Sequence, residues 1–196
     1  MTNRLITRYE DLLGSVDREG INNLISFIQK SDFYTAPAST KYHSSYEGGL
    51  LQHSLNVYDR LNKKYMEDKE TWHKENDSVT ADTLKIVALL HDICKAYFYK
   101  VSYRNSKNEE TGKWEKVPFY TVDDRFPYGH GEKSVMMISE FIKLTPIEKY
   151  AIRWHMGFTE PKENWNTFSS AVRKYPLVLA LHLSDLEATY LLEEET

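Results

Sequence analysis

Histidine and aspartate occur in this chain where an apolar helix face has no ordinary use for them. Seven histidines are spread over 196 residues. His53 comes three residues after Leu50 and four before Val57, which puts it on their face of a helix. His91 follows Leu84, Val87 and Ala88 by seven, four and three residues. His155 comes four after Ala151, and Asp185 comes four after Leu181 and seven after Val178. A carboxylate on a buried face is costly without a cation, so Asp185 calls for one. One core histidine alone more often completes a hydrogen bond than binds a metal. The adjacent pair His91–Asp92 shifts that balance. Neighbours on a helix point about 100° apart, so both reach an ion in the groove beside the helix. Asp92 then has a second oxygen for another ion.

The elements that must position these residues are mostly helical, because apolar residues recur at helical spacing. Leu5, Tyr9 and Leu12–Leu13 predict a first helix; Ile21, Leu24–Ile25 and Ile28 predict a second beginning near Asp17. After a loop with Pro37, a third helix is expected from Tyr46 to Met66 and a fourth from Ser78 to about Tyr97. A fifth follows Gly129. A sixth carries the start signal Thr145–Pro146. Trp165–Lys174 reads as a short helix, and the last runs from Pro176 to about Leu192. One stretch breaks the period: 97–104 and 113–122 are aromatic and β-branched and flank the polar segment 105–112. They read as a β-hairpin, with Pro118 keeping its strand at an edge or bulge.

Read together, the motifs resemble a known family. GGLLQHSLNVY with His53, ALLHDICKAY with His91 and Asp92, and LALHLSDLEATY with Asp185 are similar to the HD superfamily of metal-dependent phosphohydrolases. GHGEKS with His130 and IRWHMG with His155 match the added histidines of its two-metal members. PASTKYHSSYEGGLLQHSL resembles the HD domains of bacterial 3′–5′ exoribonucleases. The resemblance implies an all-α helical bundle, here with one inserted hairpin over 97–122. It implies one domain over 1–196, in which 1–36 form N-terminal helices and 37–188 the HD core. It assigns His53, His91, Asp92 and Asp185 to one ion, and Asp92, His130 and His155 to a second.

The ligand count agrees with two ions. Four imidazoles and two carboxylates would saturate one octahedral ion; shared by two, with Asp92 bridging, they leave positions for an activated hydroxide and a substrate oxygen. Mixed nitrogen and oxygen donors suit manganese, iron, cobalt, nickel or zinc better than calcium. The absence of cysteine ligands argues against a structural zinc. Lys95, four residues after His91, is expected to point into the same groove and meet a phosphate. Lys133, three after His130, has the same relation to the second site. The resemblance to the exoribonuclease stretch also makes His43 and Tyr46 substrate-contact candidates, with Tyr46 seven residues before His53 and so expected on its face. Gly48 and Gly49 would let substrate or a neighbouring backbone approach closely. His182 is expected to orient Asp185, and His73 to be exposed.

The expected function is hydrolysis of a phosphate ester of a nucleotide or single-stranded nucleic-acid end, with Asp92 and Lys95 catalytic. A di-iron oxygenase and a non-catalytic nucleotide-binding regulatory module are the alternatives. Charge is nearly balanced, 25 basic against 29 acidic residues, which excludes broad non-specific nucleic-acid binding. One cysteine, no long apolar run and no signal-like N-terminus point to a cytoplasmic protein.

Overall fold

A computed structural model describes residues 2–41, 44–72 and 78–193. Amphipathic spacing at the N-terminus forms α1 (Thr2–Gly14) and α2 (Ile21–Lys30). The second helix starts later than Asp17 because Gly20, at φ 87°, turns the chain just before Ile21. Tyr9, Leu13, Leu24 and Ile28 enter the same apolar core as the later helices. The Tyr9 hydroxyl donates to the carbonyl of Leu89 at 2.9 Å, and so satisfies an orphan carbonyl in the last turn before His91.

Next come α3 (Gly49–Glu67) and the short α4 (Lys69–Trp72), which the apolar period does not signal. The third helix begins at Gly49 rather than at Tyr46. Ahead of it the chain doubles back, and a Cβ on Gly49 would stand 1.9 Å from the carbonyl oxygen of Ser44. At Gly49 the close approach is to neighbouring backbone, one of the two alternatives expected at the glycine pair. The fourth expected helix is shorter too: α5 (Ala81–Leu90) gives way at His91 to a 3-10 turn over Ile93–Lys95. Tertiary partners replace its helical bonds. The Cys94 amide donates to the Ser134 hydroxyl at 3.3 Å, and the Tyr97 amide to Asp32 at 2.7 Å.

The hairpin consists of β1 (Tyr99–Lys107) and β2 (Trp114–Val122), antiparallel, with Tyr99 opposite Val122 and Lys107 opposite Trp114. Its first strand runs three residues past Arg104, because Asn105, Ser106 and Lys107 pair with Lys116, Glu115 and Trp114. The turn is held by Asn108, whose side chain accepts from the amides of Glu110 and Thr111, both at 3.0 Å. Four helices complete the order: α6 (His130–Ser139), α7 (Pro146–Trp154), α8 (Trp165–Lys174) and α9 (Pro176–Leu191). Thr145 and Glu148 form a reciprocal capping box at the start of α7. The helix α3 packs on α5 and α9, and α7 on α6 and α9. No described helix is long and apolar enough to cross a membrane.

Candidate metal centre

Each cluster residue is delivered by a helix or its end. His53 lies in the first half of α3, three residues after Leu50 on the face buried against α5 and α9. His91 caps the C-terminus of α5, and Asp92 follows with φ −106° and ψ 15°, outside helical geometry. The doublet therefore reaches the cluster from a helix end, not from a continuous helix face. His130 opens α6, and His155 caps the C-terminus of α7. Gly131 lets these two helices meet: a Cβ there would lie 2.2 Å from the carbonyl oxygen of Arg153. The His130 and His155 rings consequently stand 5.1 Å apart, centre to centre. Asp185 comes from the middle of α9.

The four imidazoles share one orientation. Each Nδ1 bonds outside the cluster: His91 to the carbonyl of Ala88 at 2.8 Å, His155 to that of Ile152 at 2.6 Å, His53 to Glu193 at 2.9 Å and His130 to the Cys94 sulfur at 3.3 Å. Each Nε2 is thereby turned toward the two aspartates. His130 Nε2 is 2.7 Å and His155 Nε2 3.6 Å from Asp92 Oδ1; His91 Nε2 is 3.5 Å from Asp92 Oδ2, and His53 Nε2 is 3.2 Å from Asp185. Hydrogen-bonding one ring nitrogen to fix the other for coordination is how metal-binding histidines are prepared. Among the described residues, three overlapping triads bring ligand atoms within 4.8 Å of one another: His53, His91 and Asp185; His91, Asp92 and His155; Asp92, Cys94 and His130. In the third, the sulfur faces Nδ1 of His130, so Cys94 supports that ring from behind.

Fit to metal ions has its own sign. His155 Nε2 is buried with no hydrogen-bond partner among the described residues, and 3.6 Å to Asp92 is too long for one. A buried polar atom left unpaired costs about 1–3 kcal/mol, and a divalent ion would remove that cost. Imidazole nitrogens mixed with carboxylate oxygens are a donor set for first-row transition ions.

The charges are strongly coupled. At His53 burial works against the cation, but hydrogen bonds to Asp185 and Glu193 outweigh it and raise the pKa to about 10. Burial lowers His91 to about 4, and lowers His130 as well. At His155, burial is outweighed by the Asp92 carboxylate, which raises it. Burial works against the Asp92 anion too, yet Lys95, His91 and His130 hold it well below the ordinary carboxylate range. Asp185 is likewise lowered, with His53 overcoming burial.

Of the other sequence candidates, Lys95 does reach the cluster. Its Nζ lies 2.7 Å from Asp92 Oδ2, across the 3-10 turn rather than along a helix face. Lys133 is paired with Asp124 at 2.7 Å and stands over the Phe98 ring. Tyr46 precedes α3, so it does not share the helical face of His53, and it is 44% exposed. His43 and His73 lie outside the described residues. His182 does not touch Asp185 through its Nδ1; that nitrogen bonds the carbonyl of His155 at 2.7 Å and props the main chain of a different cluster residue. The spacing of ligands along helices does not point to Cys94 or Glu193 as supports. Glu193 lies beyond the C-terminus of α9, which ends at Leu191, so no helical spacing signals it.

Comparison with known proteins agrees with this geometry. The HD domain family matches residues 50–189, a span that begins just before His53 and ends after Asp185. Over 88 residues the chain is 41% identical to a dihydroneopterin 2′,3′-cyclic phosphate phosphodiesterase from Methanocaldococcus jannaschii. That match takes in 45% of this chain and 31% of the relative, so the two align over less than a third of the relative's length. No solved structure matches the chain significantly. With the family's span covering every residue of the His/Asp cluster, the chain belongs to the HD domain family.

Proposed function

We propose that the chain is a metal-dependent phosphohydrolase acting on a phosphate ester of a nucleotide or of a single-stranded nucleic-acid end. The observation that carries this reading is the convergence of four Nε2 atoms on Asp92 and Asp185, with every Nδ1 already bonded elsewhere. Two divalent ions of the manganese, iron, cobalt, nickel or zinc class suit the donors. His53, His91, Asp92 and Asp185 would hold one, and Asp92, His130 and His155 the other. Such ions, when bound, acidify water and neutralise charge on phosphoryl oxygens.

The chain's own side chains do the rest. The floor of the cluster is closed: the side chains of His53, His91, Asp92 and His155 are 3% exposed or less, whereas Asp185, Lys95 and His130 are 16%, 13% and 27% exposed. An ester therefore approaches from the side of Lys95, His130 and Asp185. Lys95, held against Asp92, offers an ammonium to a phosphoryl oxygen as charge develops there. Tyr46, Lys133 and His43 are the further substrate contacts we assign, Lys133 on condition that it leaves Asp124.

A nucleotide is favoured by the ground beside the hairpin. A hollow of about 780 Å³ between Thr40, Lys41 and Ser45 and the hairpin is lined by Arg104, Phe119 and Tyr120; among the described residues its lining has two cations and two rings and no carboxylate. A second hollow of about 340 Å³ shares Val101 and Tyr120 with it and includes Tyr99, but also Asp32 and Glu47, so the first hollow is the one suited to an anion. The Tyr99 hydroxyl donates to the carbonyl of Ala38 at 3.1 Å. A relative named for hydrolysing a cyclic phosphate supports a diester.

The test is metal analysis of the purified protein followed by a panel of phosphate mono- and diesters, including cyclic nucleotides and short RNA, with manganese added. Turnover that Asp92→Ala removes is the expected result. A loaded protein that hydrolyses none of them overturns the reading.

A further inference from the structure

We infer that Glu193 is a positioning residue of the metal centre: its carboxylate fixes the His53 ring so that Nε2 is presented to an ion. The inference rests on the metal reading above. His53 lies between two carboxylates, Asp185 on the Nε2 side at 3.2 Å and Glu193 on the Nδ1 side at 2.9 Å. The two have different tasks. Asp185 faces the cluster; Glu193 stands behind the ring, with a side chain only 2% exposed.

Its remaining lone pairs are also taken, by the Asn56 amide at 3.0 Å and the Ser44 hydroxyl at 2.8 Å. A carboxylate buried this far and given three donors is held in one place. It therefore selects the His53 tautomer with hydrogen on Nδ1, leaving Nε2 as the donor atom. Carboxylates in this position raise ligand basicity, and losing one costs about 10- to 100-fold in metal affinity. The other three imidazoles are oriented by main-chain carbonyls or sulfur, so Glu193 is the one carboxylate that performs this task among the described residues.

The experiment measures manganese dissociation constants by competition with a chelating dye on folded, metal-stripped protein. Glu193→Ala is expected to bind about 10- to 100-fold more weakly, and Glu193→Gln, which keeps an acceptor for Nδ1–H, to fall between. Excess manganese restores turnover in both. Ser44→Ala, which removes another donor to Glu193 without touching His53, keeps wild-type affinity. Where Glu193→Ala does not fold, Glu193→Gln alone decides, by weaker affinity or none. Wild-type affinity in the Glu193 variants overturns the inference while leaving the metal reading intact. An equal loss in Ser44→Ala also overturns it, since the carboxylate then only anchors the chain. A wild-type protein that binds no manganese removes both.

Discussion

His53 and His91 bring their Nε2 atoms to 3.3 Å of one another. Two ring nitrogens at that distance cannot both carry hydrogen, and the site separates them: His53 is raised to about 10 while His91 is lowered to about 4. In the metal-free protein at neutral pH, the proton belongs to His53. A metal ion must displace it. Because the folded pKa of His53 is raised, the proton stays bound until the pH approaches about 10, so affinity for the first ion falls as pH is lowered through the neutral range. The expected slope is about tenfold per pH unit, with one proton released per ion. Titration calorimetry in buffers of different ionisation enthalpy measures that proton directly; a heat independent of buffer contradicts it.

Stoichiometry is the second expectation. Two ions per chain should be found after loading with manganese or iron, and His130→Ala and His155→Ala should each reduce the count toward one. A count fixed at one in the wild type and in both variants removes the dinuclear arrangement.

Asp92 and Lys95 should separate in their effects although they touch. Asp92 lies within 3.7 Å of all four imidazoles, so Asp92→Ala should abolish turnover and strip metal. Lys95→Ala should retain metal and lower kcat by about 10²–10³, the loss typical of one charge-stabilising donor. Unchanged kcat and KM in Lys95→Ala would show that the lysine serves Asp92 alone.

Gly131→Ala tests the crossing of α6 and α7. The added Cβ meets backbone, the Arg153 carbonyl, at 2.2 Å, so one helix must shift. A loss of about 1–3 kcal/mol is expected, seen as a melting temperature several degrees lower. His130 moves with α6, so retention of the second ion should weaken in parallel.

The hairpin rings divide by position. Phe119 and Tyr120 line the hollow, whereas Trp114 sits near the tip, 71% exposed. Alanine at 119 or 120 should weaken nucleotide binding by about 1–3 kcal/mol per stacked base. Trp114→Ala should change neither binding nor melting. A lower melting temperature with unchanged affinity at 119 and 120 would make the hairpin a scaffold.

Part of this candidate centre is legible in the sequence because His53 and Asp185 sit within helices, where spacing converts directly into shared faces. The structure brings both to the same cluster, and the Thr145–Pro146 start signal marks the helix that ends at His155. The errors have a common cause. At Leu90 the helix stops although the apolar pattern continues, because Ser134, over forty residues away, and Asp32 capture amides that a helix would use. At Tyr46 the helix has not started, because Gly48 turns the chain at φ 85°. Supports such as Glu193 act across 140 residues of sequence, and no local period encodes a contact of that kind.

The way the imidazoles are held distributes the chain's tolerance of mutation unevenly. His91 and His155 lean on the carbonyls of Ala88 and Ile152, and no side-chain replacement deletes a carbonyl. His53 and His130 lean on Glu193 and Cys94, where one nucleotide change in the coding sequence is enough to remove the support. Drift under relaxed selection should therefore erode the site from its His53 and His130 corners first. Chains that keep all four histidines should accept other apolar side chains at the buried positions 88 and 152 more readily than any change at 94 or 193.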